Sequence, residues 1–312
     1  MHQTKRKVLF LCSRNTLMNS NRLTFAIFGN TYQKKKSSSI KLILDHLNKR
    51  NADVAIDKDF YVYLKSEGYD DIPCATIIEG NDFKADFAIS MGGDGTFLHA
   101  ASRVGNKRIP IIGVNMGRLG FLADIGQEQV EEALDNVFTG NYEVEKRSVL
   151  CAQTKDTQLQ HFPYALNEIA ILKHDSSSML AIHAHIDGMY LTTYQADGLI
   201  ISTPTGSTGY ALSVGGPILT PSSHSITMSA VAPHSLNIRP IVLSDESEIT
   251  LEVESRSHNY LLAIDGRSES LCDTVRLRLK KADYPILVVK QKGHNFYGTL
   301  REKLMWGADT RQ

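Results

Sequence analysis

The chain has 312 residues, and its 34 Lys and Arg are balanced by 34 Asp and Glu; 42% of residues are hydrophobic and 22% charged. The even balance excludes the basic field that steers proteins onto nucleic acid or an anionic membrane surface, and the length allows one large domain or two ordinary ones. Cys12, Cys74, Cys151 and Cys272 form no C-x-x-C pair, so the pattern points to thiols in a reducing cytosol, with neither a zinc site nor a disulfide framework; no apolar run is long enough to span a membrane.

The first 22 residues hold Lys5, Arg6, Lys7, Arg14 and Arg22 and no acid. Their one apolar stretch, Val8–Cys12, is too short for a signal peptide, and residues 1–23 are expected to be an extension that packs poorly. Thr24–Asn30 reads as a buried strand ending at a glycine turn. A polar stretch with Lys34–Lys36 and Ser37–Ser39 follows, the lysines reading as a solvated charge run. Ile40, Leu42, Ile43, Leu44 and Leu47 then give an amphipathic helix with a serine start. Val54–Ile56 is a second strand, and Asp57–Gly68 contains a short helix. Asp86–Met91 is a strand running straight into Gly92-Gly-Asp-Gly-Thr96, where a helix carrying Phe97, Leu98, Ala100, Ala101 and Val104 begins. Ile109–Val114 is a strand, and Gln127–Phe138 a helix stopped near Gly140. This alternation predicts a doubly wound parallel α/β domain over residues 24–147.

Helical periodicity vanishes after about residue 147. Short apolar runs take over, at Ala165–Leu172, Leu180–Ile186, Gly198–Ser202, Ile226–Val231, Ile249–Val253 and Tyr260–Ile264. Asp187-Gly188 and Asp265-Gly266 lie between such runs and read as hairpin turns. Residues 148–287 therefore read as all-β, a sandwich. A last strand at Ile286–Lys290 precedes a helical tail, Leu300–Trp306, expected to dock back on the first domain, so that residues 288–312 complete it.

Three segments carry chemistry. Gly92–Thr96 sits between a strand and a helix, where glycines permit close approach or positive φ and the helix start presents unpaired N–H groups to phosphate. Asp94 at that turn suits a metal or a reacting hydroxyl, hence phosphoryl transfer to an alcohol; the alternative is a helix N-cap. Asp197–Pro217 is a buried strand running into a loop dense in Gly, Ser and Thr, with a helix start at Ser207 or Thr208, suited to a nucleotide base or phosphate or else a long structural turn. Asn167-Glu168, flanked by Leu166 and Ile169, offers a donor and acceptor for an adenine edge and two acceptors for ribose hydroxyls; a solvent-facing edge pair is the other possibility. His183 and His185 share a strand face but lack further metal ligands at matching positions and read as ordinary histidines.

These segments, with Asn115–Leu122, Pro233–Pro240 and Leu300–Trp306, occur in the order seen in NAD kinases, and the resemblance spans residues 24–307. Gly92–Thr96 alone is shared with diacylglycerol and sphingosine kinases and, in similar form, with phosphofructokinases; Asn167-Glu168 and Asp197–Pro217 are far more specific. The resemblance implies an enzyme that phosphorylates NAD from ATP with Mg²⁺ or another divalent cation, built as an α/β domain joined to a β-sandwich and assembled as a homodimer or homotetramer in the cytoplasm, without nucleic-acid or membrane partners. It implies that Asp94 is catalytic and engages the adenosine 2′-hydroxyl. It places Gly92, Gly93, Gly95 and Thr96 at the phosphates. It puts Asn167 on adenine, Glu168 on ribose, and Thr208, Gly209, Ser213, Tyr210 and Phe121 around the adenosine, with Asp197 toward the nicotinamide half. Asp265, in Ile264-Asp-Gly-Arg267, resembles a further ligand-facing turn. Gly209 departs from a more usual alanine and Gln195 from a frequent arginine linked to the choice between NAD and NADH, which stays open. A lipid kinase or a non-catalytic dinucleotide sensor are the rival readings. So is a sugar-phosphate kinase, which would want an extra Arg or Lys beside Asp94, and none is evident from the sequence.

Overall fold

A computed structural model describes residues 22–31, 37–69, 72, 76–117, 120–155, 157–174 and 179–307. The expectations for residues 1–21, including Val8–Cys12, and for Lys34–Lys36 fall outside the described residues, as do Cys12, Cys74, Arg118 and Leu119.

Strands and helices alternate through residue 140 as β1 (Thr24–Gly29), α1 (Ser37–Lys49), β2 (Asp53–Asp57), α2 (Lys58–Ser66), β3 (Thr76–Ile78), β4 (Phe87–Gly92), α3 (Asp94–Val104), β5 (Ile111–Asn115) and α4 (Val130–Thr139). Strands then dominate: β6 (Tyr142–Arg147), β7 (Leu150–Thr154), β8 (Tyr164–Ala165), β9 (Glu168–Lys173), β10 (Leu180–Ile186), β11 (Met189–Ala196) and β12 (Gly198–Ser202). One helical turn, α5 (Tyr210–Ser213), separates these from β13 (Ser225–Val231), β14 (Ile241–Ser244), β15 (Ile249–Glu254), β16 (Asn259–Ile264), β17 (Arg267–Cys272), β18 (Leu277–Lys281), β19 (Ile286–Gln291) and α6 (Phe296–Leu304).

The first sheet has the order β3-β2-β1-β4-β5-β19-β6. β1 to β5 and β19 run parallel, and β6 closes the edge antiparallel to β19. The period-2 alternation of β1 sends Phe25 and Ile27 to one face, against Ile43 and Leu47 of α1, Phe60 of α2 and Leu134 of α4. Ala26 and Phe28 face the other way, with Phe97, Ala100 and Val104 of α3 and with Val149 and Leu166 from the strand-rich half. That second core ties the two halves together, because Leu166 immediately precedes Asn167.

The two other sheets are antiparallel, ordered β11-β10-β15-β18-β7-β8 and β14-β13-β12-β9-β16-β17. Their inner faces share one core that includes Ile169, Ile171, Ile182, Leu199, Leu251, Tyr260 and Leu279. Asp187 (φ 51°) with Gly188 (φ 79°), and Asp265 (φ 47°) with Gly266 (φ 79°), take the left-handed pairs of two-residue hairpins between β10 and β11 and between β16 and β17. Asp197-Gly198 looks similar in sequence but is no hairpin. There the chain passes from β11 in one sheet directly into β12 of the other. Gly198 is buried so closely on β9 that a Cβ would lie 2.5 Å from the Ile171 carbonyl.

Candidate active site

β4 is buried along all its length and ends at Gly92, where a Cβ would stand 2.1 Å from Thr96 Oγ1. Gly93 is the extended residue before α3, and a Cβ on Gly93 or Gly95 would meet nothing within 4 Å. None of these three glycines has positive φ, so the motif's glycines serve close packing at Gly92 and an open backbone at Gly93 and Gly95. Asp94 does not cap the helix. It is the first helical residue, and its carboxylate turns to the loop after β5. Oδ1 accepts the amides of Leu122 and Ala123 at 3.1 Å each, and Oδ2 accepts the Phe121 amide at 3.0 Å.

That loop is itself held in shape. The buried Asn115 donates from Nδ2 to the Ala123 carbonyl at 3.0 Å, and its Oδ1 accepts the Gly117 amide at 2.6 Å. Gly120 must lack a side chain, since its Cβ would fall 2.0 Å from Asp94 Oδ1. Lys303, from α6, puts Nζ 3.8 Å from Asp94 Oδ2 and 5.1 Å from the centre of the Phe121 ring. A cation thus does stand beside Asp94, supplied from the far end of the chain. Beside Gly93, Gly95 and Thr96 opens a groove of about 420 Å³ that Asn30, Asp57, Asp59 and His99 also line; no Lys or Arg is among its described lining residues. Asp57 accepts from Arg103 at 2.7 Å, and burial pushes the His99 imidazole below its ordinary value.

The second group forms around the start of β9. The Asp265 side chain reaches back from its hairpin turn to accept the amides of Leu166, Asn167 and Glu168 at 2.7, 2.8 and 3.1 Å. Thr203 Oγ1 donates to the Leu166 carbonyl at 2.6 Å, and the Thr203 amide donates to the Asn167 carbonyl at 2.9 Å. Gly206 packs on the same backbone, where a Cβ would sit 2.2 Å from the Asn167 carbonyl. With the backbone fixed from both sides, the side chains of Asn167 and Glu168 stand beside Gly209, whose Cβ would be 3.2 Å from Glu168 Oε2 and 3.5 Å from Asn167 Nδ2. Glycine there leaves that carboxylate oxygen less covered than alanine would. Asn167 Oδ1 and Glu168 Oε2 are buried acceptors with no hydrogen-bond partner among the described residues. Two adjacent orphaned acceptors are costly unless a ligand or water donates to them.

Burial, reinforced by the charge of Asp265, pushes Glu168 from 4.5 up to about 7, while the Tyr210 backbone amide pulls it partly back. Burial also raises Asp265, against the three amides and Arg267. The folded protein therefore holds a proton that the unfolded chain releases. The stability this carries is full below about pH 4.5 and is lost as pH rises through 7, on the order of 2 kcal/mol between pH 5 and 8. Urea midpoints of Glu168→Gln should therefore fall less over that interval than those of the wild type. Parallel declines in the two proteins would contradict the assignment.

Not every expected residue joins these groups. Phe121 joins Asp94, and Gly209 and Tyr210 join Glu168. Thr208 Oγ1 donates to the Thr205 carbonyl at 3.3 Å, and the exposed Ser213 turns its hydroxyl to the Tyr210 carbonyl at 2.7 Å. The helix expected at Ser207 or Thr208 is a 3₁₀ turn at Gly206–Thr208 followed by α5. Asp197 pairs with Lys173 at 2.8 Å. Because Glu168 is opposite Ser202 and Leu172 opposite Gly198, Asp197 lies at the other end of β9, roughly 15 Å away along the strand. His183 bonds Thr193 at 2.8 Å and Glu254 at 3.1 Å, and the His185 ring packs on Tyr190. Gly120, Asp265's three amide bonds and Lys303 are the parts that sequence reading had not placed. A glycine just before an apolar pair is no signal by itself.

Both halves of the chain match a known family. The family model for the ATP-NAD kinase N-terminal domain matches residues 24–142, and that for the C-terminal domain matches residues 166–291. A NAD kinase of Bacteroides fragilis is 57% identical over 289 residues, covering 93% of this chain and all of the relative. One from Porphyromonas gingivalis is 41% identical over 287 residues, covering 92% and 99%. Among solved structures, yeast NADH kinase complexed with NADH superposes with a TM-score of 0.83 at 24% identity, covering 93% of this chain and 89% of that one, a likeness of fold. A NAD kinase from Archaeoglobus fulgidus in complex with ATP gives 0.72 at 25% identity, covering 89% and 99%. Both halves of the sequence place this chain in the NAD kinase family.

Proposed function

We propose that this NAD kinase moves the terminal phosphoryl group of ATP to the 2′-hydroxyl of the adenosine ribose of NAD, with Asp94 as its catalytic carboxylate. The observation that carries this reading is the occupancy of the two carboxylate oxygens. Asp94 Oδ1 already accepts two amides, whereas Oδ2 accepts one and keeps an acceptor lobe free for a hydroxyl. A ribose hydroxyl donating there is oriented for attack. Its oxygen bonds to the γ-phosphorus as the bond to the β,γ-bridging oxygen breaks, its proton passes late to Asp94, and ADP leaves. Asn167 Oδ1 accepts from the adenine amino group and Glu168 Oε2 from a ribose hydroxyl, each supplying a partner those buried atoms lack within the chain. Thr208, Gly209, Tyr210 and Ser213 border the adenosine, and Phe121 gives an apolar wall.

The donor phosphates belong in the groove beside Gly92, Gly93, Gly95 and Thr96, where the open backbone and the start of α3 suit them. The groove's oxygen donors, Asn30 and Asp59, with no Lys or Arg among the described lining, fit a hydrated magnesium ion. When bound, that ion would neutralise charge on the donor phosphates. A coupled assay with NAD, ATP and Mg²⁺ should show NADP formation that stops without ATP. ATP hydrolysis with no NADP would overturn the reading.

We further assign residues 24–147 with 288–312 to one domain and 148–287 to the other, a division supported by the place of β19 between β5 and β6. Aspartate 197 we keep on the nicotinamide side, from the family resemblance. A cytoplasmic enzyme without nucleic-acid or membrane partners accords with the even charge, and none of the helices in the described residues is long and apolar enough to cross a membrane. Self-association as a dimer or tetramer accords with the exposed Met189, Tyr190 and Leu236. Light scattering should give a mass of at least two chains, and a monomer at micromolar concentration would contradict it.

A further inference from the structure

The C-terminal segment approaches Asp94 from outside the glycine motif. Lys290 and Asp124 form a nearly completely buried ion pair at 2.5 Å, with side chains 3% and 5% exposed. His294 Nε2 adds a contact to Asp124 at 3.0 Å. Asp124 directly follows the three residues whose amides hold Asp94. A pair buried this deeply costs desolvation, and its clearest effect is to fix one register of the two segments it joins. The next anchor is aromatic: Phe296, at the start of α6, packs on Phe121 with ring centres 6.2 Å apart. The N-cap Asn295 accepts the Gly298 amide at 2.8 Å and sets the direction of the helix. Two turns later Lys303 lies over the Phe121 ring with its ammonium beside Asp94.

A lysine in the last turn of a helix ordinarily reaches its own carbonyls or solvent. Lys303 instead extends over an aromatic face toward the one Asp94 oxygen that retains an acceptor lobe. That ion pair is the only one recorded for Asp94 among the described residues. At 3.8 Å it is longer than a hydrogen bond, so the ammonium keeps donors for another anion.

We propose that Lys303 is a second catalytic residue of the phosphoryl transfer, its ammonium neutralising the oxygens of the group in transit once the hydroxyl has settled on Asp94 Oδ2. This rests on the assignment of Asp94 above. The hydroxyl oxygen attacks phosphorus from beside Asp94, so the equatorial oxygens gather charge within reach of the flexible lysine stem. Such a preorganised cation acts mainly in the transition state. The groove beside Gly93 and Gly95 has no Lys or Arg among its described lining residues, which leaves Lys303, among the described residues, as the side-chain cation placed for this.

The test is steady-state and single-turnover kinetics of Lys303→Met, Lys303→Gln and Lys303→Arg beside Asp94→Asn, with NAD binding by calorimetry and melting curves on each full chain. Loss of the cation should lower kcat by about 10²-fold and leave the Kd and KM for NAD within about threefold, and arginine should recover at least about tenfold of the loss. A merely structural lysine would loosen Phe121 and α6, so it would raise the KM for NAD and lower the melting temperature in step with activity. If Met and Gln variants keep kcat within threefold of wild type while Asp94→Asn is inactive, Lys303 alone is overturned. Arginine as slow as methionine overturns it too. If Asp94→Asn keeps its rate, the parent assignment fails. The methionine variant keeps an apolar stem of similar length over Phe121, and the glutamine variant, uncharged but polar at its end, decides the matter should the methionine variant fold poorly.

Discussion

Asp94→Asn is expected to bind NAD within about threefold of the wild type and to lose about 10²-fold or more in kcat. The amide can keep one oxygen on the Leu122 and Ala123 amides, so the side chain stays in its cradle. Its nitrogen then faces the Phe121 amide, donor against donor, and offers the ribose hydroxyl no acceptor. Gly120→Ala approaches the same point from the loop side. Its Cβ would sit 2.0 Å from Asp94 Oδ1 and 2.9 Å from the carboxyl carbon, so the carboxylate must shift. A displacement near 1 Å at a reacting group costs about 10²-fold, and this variant should lose kcat with little change in NAD affinity. Rapid-quench rates at saturating NAD would read both effects. A near-normal rate in either variant would remove the cradled carboxylate from the mechanism.

Asp265→Ala should cost about 3–5 kcal/mol of stability and weaken NAD binding by at least about tenfold. Three amides, those of Leu166, Asn167 and Glu168, would lose their acceptor together. Alanine would also have to hold φ near 47° at the hairpin, which costs about 1 kcal/mol. The freed strand start carries both orphaned acceptors, which the proposed function gives to adenosine, so the loss should reach binding as well as folding. Asp265→Asn keeps an oxygen for the Asn167 and Glu168 amides and should fall between. Urea unfolding and NAD titration separate the two effects. An alanine variant within about 1 kcal/mol and threefold of wild type would show that the turn does not organise the pocket.

The elements were largely legible because their signals are local. Phe25 to Phe28 alternate between two cores, and Asp187-Gly188 and Asp265-Gly266 carry the left-handed turn chemistry in two residues. Asp197-Gly198 carries the same dipeptide but joins two sheets, a difference decided by Gly198 packing on Ile171. The candidate site is legible in the sequence as residue types: Asp94 at a glycine turn, and a polar pair at a strand head. Its construction was not, because each supporting contact bridges distant sequence. Gly120 matters only through Asp94, and the Asp265 carboxylate reaches back about a hundred residues to its three amides. Lys303 is one charge in a helical tail until β19 inserts beside β5 and carries that tail to the glycine motif. The even charge count is read differently as well. Without the first 22 residues the balance is 29 basic against 34 acidic, so neutralising two polyanions falls to a few placed groups.

The structure of this enzyme with NAD bound tests the central claim most directly, through the distance from the adenosine 2′-oxygen to Asp94 Oδ2. A separation of about 2.6–3.2 Å is expected, with the adenine on Asn167 and a ribose hydroxyl on Glu168. A 2′-oxygen more than about 5 Å from Asp94, beyond the reach of one bridging water, would contradict it.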